Sequence, residues 1–191
     1  MSTSDNFVFK LSTTLDSANV RKKKICVGLS GGLDSVSLLV ALSRLEKRFQ
    51  FNLSALHINH GLSSNAEIWE QFCMHLCEKL HIGLNVYKAD VAGISELGLE
   101  AAARRIRYER FKKLNVDFVA LAHHMDDQIE TFFLQLLRGA GIPGLSGMPI
   151  IRLLSETGPK ILRPFLNVTK NEILEYAKCS KLKWVEDESN K

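Results

Sequence analysis

Two stretches carry residue types that could do chemistry together. The first is Ser30-Gly31-Gly32-Leu33-Asp34-Ser35, two hydroxyls and a carboxylate around a pair of glycines. It follows the apolar run 25–29 and leads into a helical pattern over 36–49. A strand, a tight turn and a helix in that order leave amide N–H groups without intrahelical acceptors. Those amides lie at the positive end of the helix dipole, about half an elementary charge, so the stretch attracts anions. Ser30 and Ser35 can hydrogen-bond phosphate oxygens. Asp34 would be repelled by polyphosphate unless a cation lay between, which makes it a candidate Mg²⁺ ligand. The plainer reading of Asp34 is an acid favoured by the helix dipole. A Walker loop is excluded, since no Gly-Lys-Ser/Thr follows at the required spacing. Gly28-Leu29-Ser30-Gly31-Gly32 also matches a nucleophile elbow. That elbow sits after several strands and an oxyanion loop, however, and only 29 residues precede Ser30.

The second stretch is Ala122-His123-His124-Met125-Asp126-Asp127-Gln128-Ile129-Glu130-Thr131. Asp127 and Glu130 are three apart and share a helix face, with the apolar stripe on other positions, so both carboxylates are expected free toward the sheet edge. A transition-metal site from the two histidines and the aspartates competes with a capped, solvated helix start. Arg104 and Arg107 are likewise three apart, with Arg105 and Arg110 pointing elsewhere, and arginine's rigid fork suits phosphate. Ala101, Ala102 and Ala103 let that helix approach other backbone closely. His57 and His60 flank the end of a strand and also read as ordinary loop histidines.

Alternating strands and helices must position these groups. Apolar runs at 25–29, 53–58, 84–91 and 118–122 read as strands, and 161–166 as a fifth. Between them lie helical patterns at 36–49, from Ser64 onward, at 100–114 and at 126–137. Ser64 with Glu67, and Thr169 with Glu172, have capping-box spacing. Phe7, Phe9, Leu11 and Leu15 outline a short helix in a polar extension, residues 1–24. The expected fold is therefore α/β, a Rossmann-like parallel sheet of about five strands with helices on both faces. Ligands of such sheets bind beyond the carboxyl ends of the strands, here Ser30 to Gly32, His57 to His60, Asp90 and His123-His124. The glycine-rich stretch 139–147 reads as a mobile loop beside that edge.

Composition bounds the class. The 191 residues are 46% hydrophobic and 24% charged, the balance of a globular chain with a substantial core. A net charge of +4 is compatible with a nucleic-acid partner without demanding one. Cys26, Cys73, Cys77 and Cys179 fit no disulfide or zinc spacing, and Cys73 and Cys77 read as small core residues in a reducing compartment. No apolar run has membrane-spanning length and no hydrophobic signal core follows the basic run 21–24, so a cytoplasmic chain without a membrane partner is expected.

Taken together, the motifs resemble a known family. Ser30-Gly31-Gly32-Leu33-Asp34-Ser35 resembles the pyrophosphate-binding loop of the N-type ATP pyrophosphatases, which GMP synthetases, NAD synthetases and tRNA-thiolating enzymes share. His57-Ile58-Asn59-His60-Gly61-Leu62, Glu100-Ala101-Ala102-Ala103-Arg104 with Arg107-Tyr108, residues 122–131, Arg138-Gly139-Ala140-Gly141 and Asp187-Glu188-Ser189-Asn190 follow in order. With them the chain resembles the tRNA(Ile)-lysidine synthetases over nearly all of residues 25–191, a single catalytic domain.

The resemblance implies ATP and Mg²⁺ as cofactors. Free L-lysine and an isoleucine tRNA with a cytidine at the wobble position would be the partners. ATP adenylates the 2-carbonyl oxygen of that cytidine, releasing pyrophosphate, and lysine's amine then displaces AMP to form lysidine. Ser30, Gly31, Gly32, Leu33, Asp34 and Ser35 would hold the pyrophosphate end of ATP, with Asp34 organising Mg²⁺. Arg104 and Arg107 would meet triphosphate or transition-state charge, and Asp127 and Glu130 would orient lysine and take its proton. The family's carboxyl-terminal tRNA-gripping domains are absent from these residues. The alternatives are a tRNA-thiolating relative and an ATP-binding module without full activity.

Overall fold

Alternation along the first strand sorts the helices into layers. In the computed structural model, which describes residues 3–61, 63–89 and 98–186, β1 (Lys24–Gly28) turns Ile25 and Val27 to one face and Cys26 to the other. β1 pairs in parallel with β2 (Asn52–Asn59) and with β4 (Phe118–Ala120). β2 pairs with β3 (Gly83–Lys88), and β4 with β6 (Lys160–Leu162), also in parallel. β5 (Ile151–Leu153) closes the edge antiparallel to β6, giving the order β3-β2-β1-β4-β6-β5. The strand order reverses between β1 and β4, so a crevice opens beyond their carboxyl ends.

Ile25, Val27, Ala55, Phe118, Ala120 and Leu162 face the larger core. Over them lie α1 (Thr3–Ser17), α2 (Leu33–Phe49), α3 (Ala66–Leu80) and α6 (Lys170–Cys179). Leu38, Leu39 and Leu42 of α2 are fully buried, each worth about 1.5–3 kcal/mol of transfer free energy. Phe7 of α1 stacks on Tyr176 of α6 at 4.2 Å between centroids, and Lys10 pairs with Glu172 at 2.7 Å. Those contacts draw the amino-terminal helix into the main core. On the opposite face Cys26, Leu56, Val119, Leu121 and Ile161 pack against Phe111 of α4 (Leu99–Lys112).

The expected parallel α/β sheet with helices on both faces is present, and several details differ. The fifth strand is three residues, Lys160–Leu162, because Phe165 and Val168 turn into the core instead of extending the ladder. β5 adds an antiparallel sixth strand too short to show an alternating pattern. Ser64 does not cap α3; the N-cap is Asn65, whose side chain makes no capping bond, and its backbone amide donates to Ser63 Oγ. Thr169 and Glu172 do form the capping box of α6. The glycine-rich stretch contains a 3₁₀ turn (Ile142–Leu145), and Gln128 pins its far end by two hydrogen bonds to Met148. α5 (Met125–Leu137) carries the expected apolar stripe but buries none of its residues; Ile129, Phe133 and Leu137 are exposed. Leu62, Asp90 and Asp187-Glu188-Ser189-Asn190 lie outside the described residues.

Candidate functional site

Residues 30–35 bridge β1 and α2 and close on themselves through hydroxyls. Ser35 Oγ accepts from the Ser30 and Gly31 amides, each at 3.2 Å, and donates to the Gly32 carbonyl at 3.1 Å. Ser30 Oγ accepts from the Gly32 amide at 3.3 Å and sits 3.0 Å from Ser35 Oγ. Among the described residues the amides of Leu33, Asp34 and Ser35 meet no protein acceptor. Three free N–H groups therefore point out of the first turn of α2, at the positive end of its dipole. No histidine or carboxylate among the described residues hydrogen-bonds Ser30 Oγ, so the loop lacks the base that a nucleophilic serine requires.

Gly31 explains why the turn can be this tight. Its φ is +94°, and a Cβ there would lie 2.9 Å from Val185 Cγ2 and 3.3 Å from Cys73 Sγ. The Val185 amide donates to the Gly31 carbonyl at 3.0 Å, so the segment after α6 braces the loop from behind. On its other side His57 is buried and hydrogen-bonds the Leu29 carbonyl through Nδ1 at 2.8 Å.

Across the crevice, the end of β4 and the start of α5 supply the second cluster. His124 is buried and is the N-cap residue of α5. Its Nε2 lies 3.8 Å from Asp34 Oδ2, and its Nδ1 lies 3.5 Å from Asp126 Oδ2 and 3.7 Å from Asp127 Oδ2. Burial raises the Asp34 pKa; His124 and Lys170 oppose that rise, whereas Asp127 and Asp126 add to it. Asp34 Oδ1 is buried without a hydrogen-bond partner among the described residues. The unpartnered Asp34 Oδ1 is by itself one oxygen that could ligate a hard cation.

The two adjacent histidines serve different partners. His123 Nδ1 accepts from Arg163 Nε at 3.2 Å, and the other end of that buried arginine donates to the Pro149 carbonyl at 2.8 Å. Burial first, then the Arg163 charge, push His123 down to about 4. It is therefore neutral near pH 7, with the proton on Nε2. The two imidazoles take different partners, and no group of three or more His, Cys, Asp or Glu side chains that could hold a metal ion forms among the described residues.

The other expected site residues take distinct positions. Asp127 Oδ2 accepts from the His124 amide at 2.8 Å, so it caps its own helix and is not a free acid. Glu130 is exposed one turn along α5. Arg104 lies over the Tyr108 ring at 5.0 Å and donates to its hydroxyl at 3.2 Å. Arg107 is close enough to lower the pKa of both His60 and His123, which brings α4 to the same edge. Arg105, expected to point elsewhere, lines a cleft with Arg104, whereas Arg110 stacks over Tyr87 at 4.5 Å. The pattern reading missed Arg163 and Lys170. Arg163 sits in an apolar run, and Lys170 reads as an ordinary first-turn residue. Only the tertiary fold sets them beside His123 and Asp34.

Comparison with known proteins agrees with this geometry. The PP-loop domain family matches residues 4–191. A tRNA(Ile)-lysidine synthase from Nitrosomonas europaea is 47% identical over 169 residues, 87% of this chain and 37% of that protein. One from Coxiella burnetii is 40% identical over 185 residues, 96% of this chain and 40% of that protein. The chain thus spans about two fifths of the length of these curated relatives. Among solved structures, the U34-tRNA thiolase NcsA from Methanococcus maripaludis superposes with a TM-score of 0.82 at 21% identity, covering 95% of this chain and 65% of that one. The NH3-dependent NAD synthetase from Campylobacter jejuni reaches 0.59 at 16% identity, over 95% of this chain and 75% of that one. A sheet whose order reverses between β1 and β4, with a serine–glycine anion loop at the reversal, accounts for these matches: the chain belongs to the PP-loop domain family.

Proposed function

We propose that this chain is the catalytic domain of a tRNA(Ile)-lysidine synthase, joining lysine to the wobble cytidine of an isoleucine tRNA at the expense of ATP. One observation carries the reading: the anion loop 30–35 and the acids that open α5 face each other across a single crevice. The loop suits a polyphosphate and the acids suit an ammonium group. An enzyme that adenylates one substrate and then attacks it with an amine needs both.

In this reading the free amides of Leu33, Asp34 and Ser35, with the hydroxyls of Ser30 and Ser35, hold the pyrophosphate end of ATP. Asp34 is the residue that would hold Mg²⁺, and the metal when bound supplies neutralisation of phosphate charge. Arg104 and Arg107 meet the negative charge that develops as the cytidine 2-oxygen is adenylated and pyrophosphate leaves. Asp127 and Glu130 bind lysine as its cation. A lysine ammonium has a pKa of about 10.4, so presenting the free amine at pH 7 costs about 4.6 kcal/mol. A carboxylate that first holds the cation and then accepts its proton meets that need. The amine adds to the activated carbon and AMP departs.

Sulfur insertion is the rival chemistry. The buried thiols do not favour it: burial pushes Cys73 up to about 12, and Cys26 and Cys77 up to about 11, which keeps all three protonated and unreactive. Calorimetry with MgATP tests the first step of the proposal. Heat of binding is expected for the wild-type chain and loss of it for Gly32→Val and Asp34→Asn. Equal heat from all three proteins would contradict the assignment of the loop.

A further inference from the structure

The crevice has two electrical halves. Asp34, Asp126 and Asp127 gather around His124 on one side. On the other, Arg163 feels the charges of Arg152 and Arg104, and His123 feels those of Arg104 and Arg107. The positive half continues outward into an open cleft of about 310 Å³ lined by Ala101, Arg104, Arg105, Tyr108 and Arg152. Arg105 on α4 and Arg152 on β5 come from elements 47 positions apart in sequence and meet only because β5 folds back as the antiparallel edge.

Among the described residues no carboxylate lies within ion-pairing distance of Arg104, Arg105 or Arg152. Glu109, the acid nearest in sequence to Arg105, is held chiefly by Lys112 at 2.6 Å. Arg104 already lies over the Tyr108 ring and donates to its hydroxyl. Arg105 and Arg152 are exposed, so they contribute little to the fold.

We propose that Arg105 and Arg152 form an RNA-phosphate cradle that positions the tRNA backbone beside the crevice, separate from the loop that holds ATP. Like-signed, unpaired guanidinium groups in an open cleft recognise successive phosphates without reading bases. The charge partition orients the substrate: the polyanion enters from the arginine side and the amine from the aspartate side. This inference rests on the tRNA reading above.

The test compares three proteins: the wild-type chain, an Arg105→Glu/Arg152→Glu double variant and an Arg21→Glu/Arg48→Glu double variant. The last loses equal charge over the Phe49 ring, on the far face of the sheet. A labelled anticodon stem-loop RNA is titrated into each between 50 and 200 mM salt, with MgATP affinity measured in parallel. The cleft variant is expected to lose at least tenfold in RNA affinity. Its plot of log affinity against log salt should flatten by about two, the loss of two phosphate contacts. MgATP affinity should stay within twofold, and the far-face variant should behave as wild type. Unchanged RNA binding in the cleft variant overturns the cradle and leaves the tRNA reading standing. Equal losses in both variants overturn it in favour of general charge, and a parallel loss of MgATP affinity reassigns the cleft to the nucleotide. A wild-type chain that binds MgATP but no RNA overturns both the cradle and the tRNA half of the proposed function.

Discussion

Asp34 Oδ2 lies 3.8 Å from His124 Nε2, while Asp34 Oδ1 is buried with no hydrogen bond among the described residues. One carboxylate thus faces both the anion loop and the start of α5, with its buried Oδ1 left for a ligand. Burial raises its pKa, so the folded chain holds that proton more tightly than the unfolded one. Its contribution to stability is therefore greatest below the unfolded pKa and falls as pH rises through the folded one. Asp34→Asn is expected to raise the melting temperature at pH 7 while lowering turnover by about 100-fold or more, the scale for losing one electrostatic stabiliser. Thermal denaturation beside ATP–pyrophosphate exchange checks both halves.

His123 titrates with the opposite consequence. Its folded pKa is pushed down to about 4, so the unfolded chain binds the extra proton between that value and about 6.5. Stability should fall as pH drops through this window, by at most one proton's slope. His123→Gln keeps a group able to accept from Arg163 and is expected to flatten that dependence. Urea denaturation from pH 4 to 7 for the two proteins gives the comparison, and identical slopes would contradict the assignment.

Asp127 caps its own helix and, in the proposed function, also binds lysine, and substitutions can separate the two. Its Oδ2 accepts from the His124 amide, a helix cap worth about 1 kcal/mol. Asp127→Ala should lose that stability and raise the KM for lysine. Asp127→Asn retains an acceptor, so it should raise the KM with little change in melting temperature. Glu130→Gln, at an exposed position, should affect lysine use alone.

Gly31→Ala tests the geometry of the loop. The new methyl must take φ near +94° and meet Val185 Cγ2 at 2.9 Å. Strain and overpacking together should cost about 1–3 kcal/mol and displace the amides that face the anion. A variant with wild-type stability and MgATP affinity would show that the bracing by Val185 is unimportant.

How much of this was legible in the chain depended on range. The apolar run 25–29 and the glycine pair were local signals, so the strand, the turn and the helix after it were readable. The sheet edge that gathers residues 30–35, His57 and residues 122–131 followed from the βαβ rhythm, whereas the strand order came only from the fold. Three-residue spacing correctly put Asp127 and Glu130 on one helix, yet it could not show that Asp127 turns back to its own cap. The stripe on α5 was readable as an apolar face, but periodicity does not report what covers it. Arg163 and Lys170 stayed hidden for a related reason. Their roles come from partners 40 or more positions away, and no short pattern encodes that distance.

The account centres on a loop that activates with ATP and an acid pair that delivers lysine. The most direct measurement is transfer of labelled lysine to an isoleucine tRNA carrying a wobble cytidine, with MgATP, for wild type, Asp34→Asn and Glu130→Gln. The account expects ATP-dependent incorporation by the wild-type protein and its loss in both variants, with Glu130→Gln still forming the adenylated tRNA. Incorporation that persists without Glu130, or a wild-type protein that adenylates the tRNA yet never accepts lysine, would contradict it.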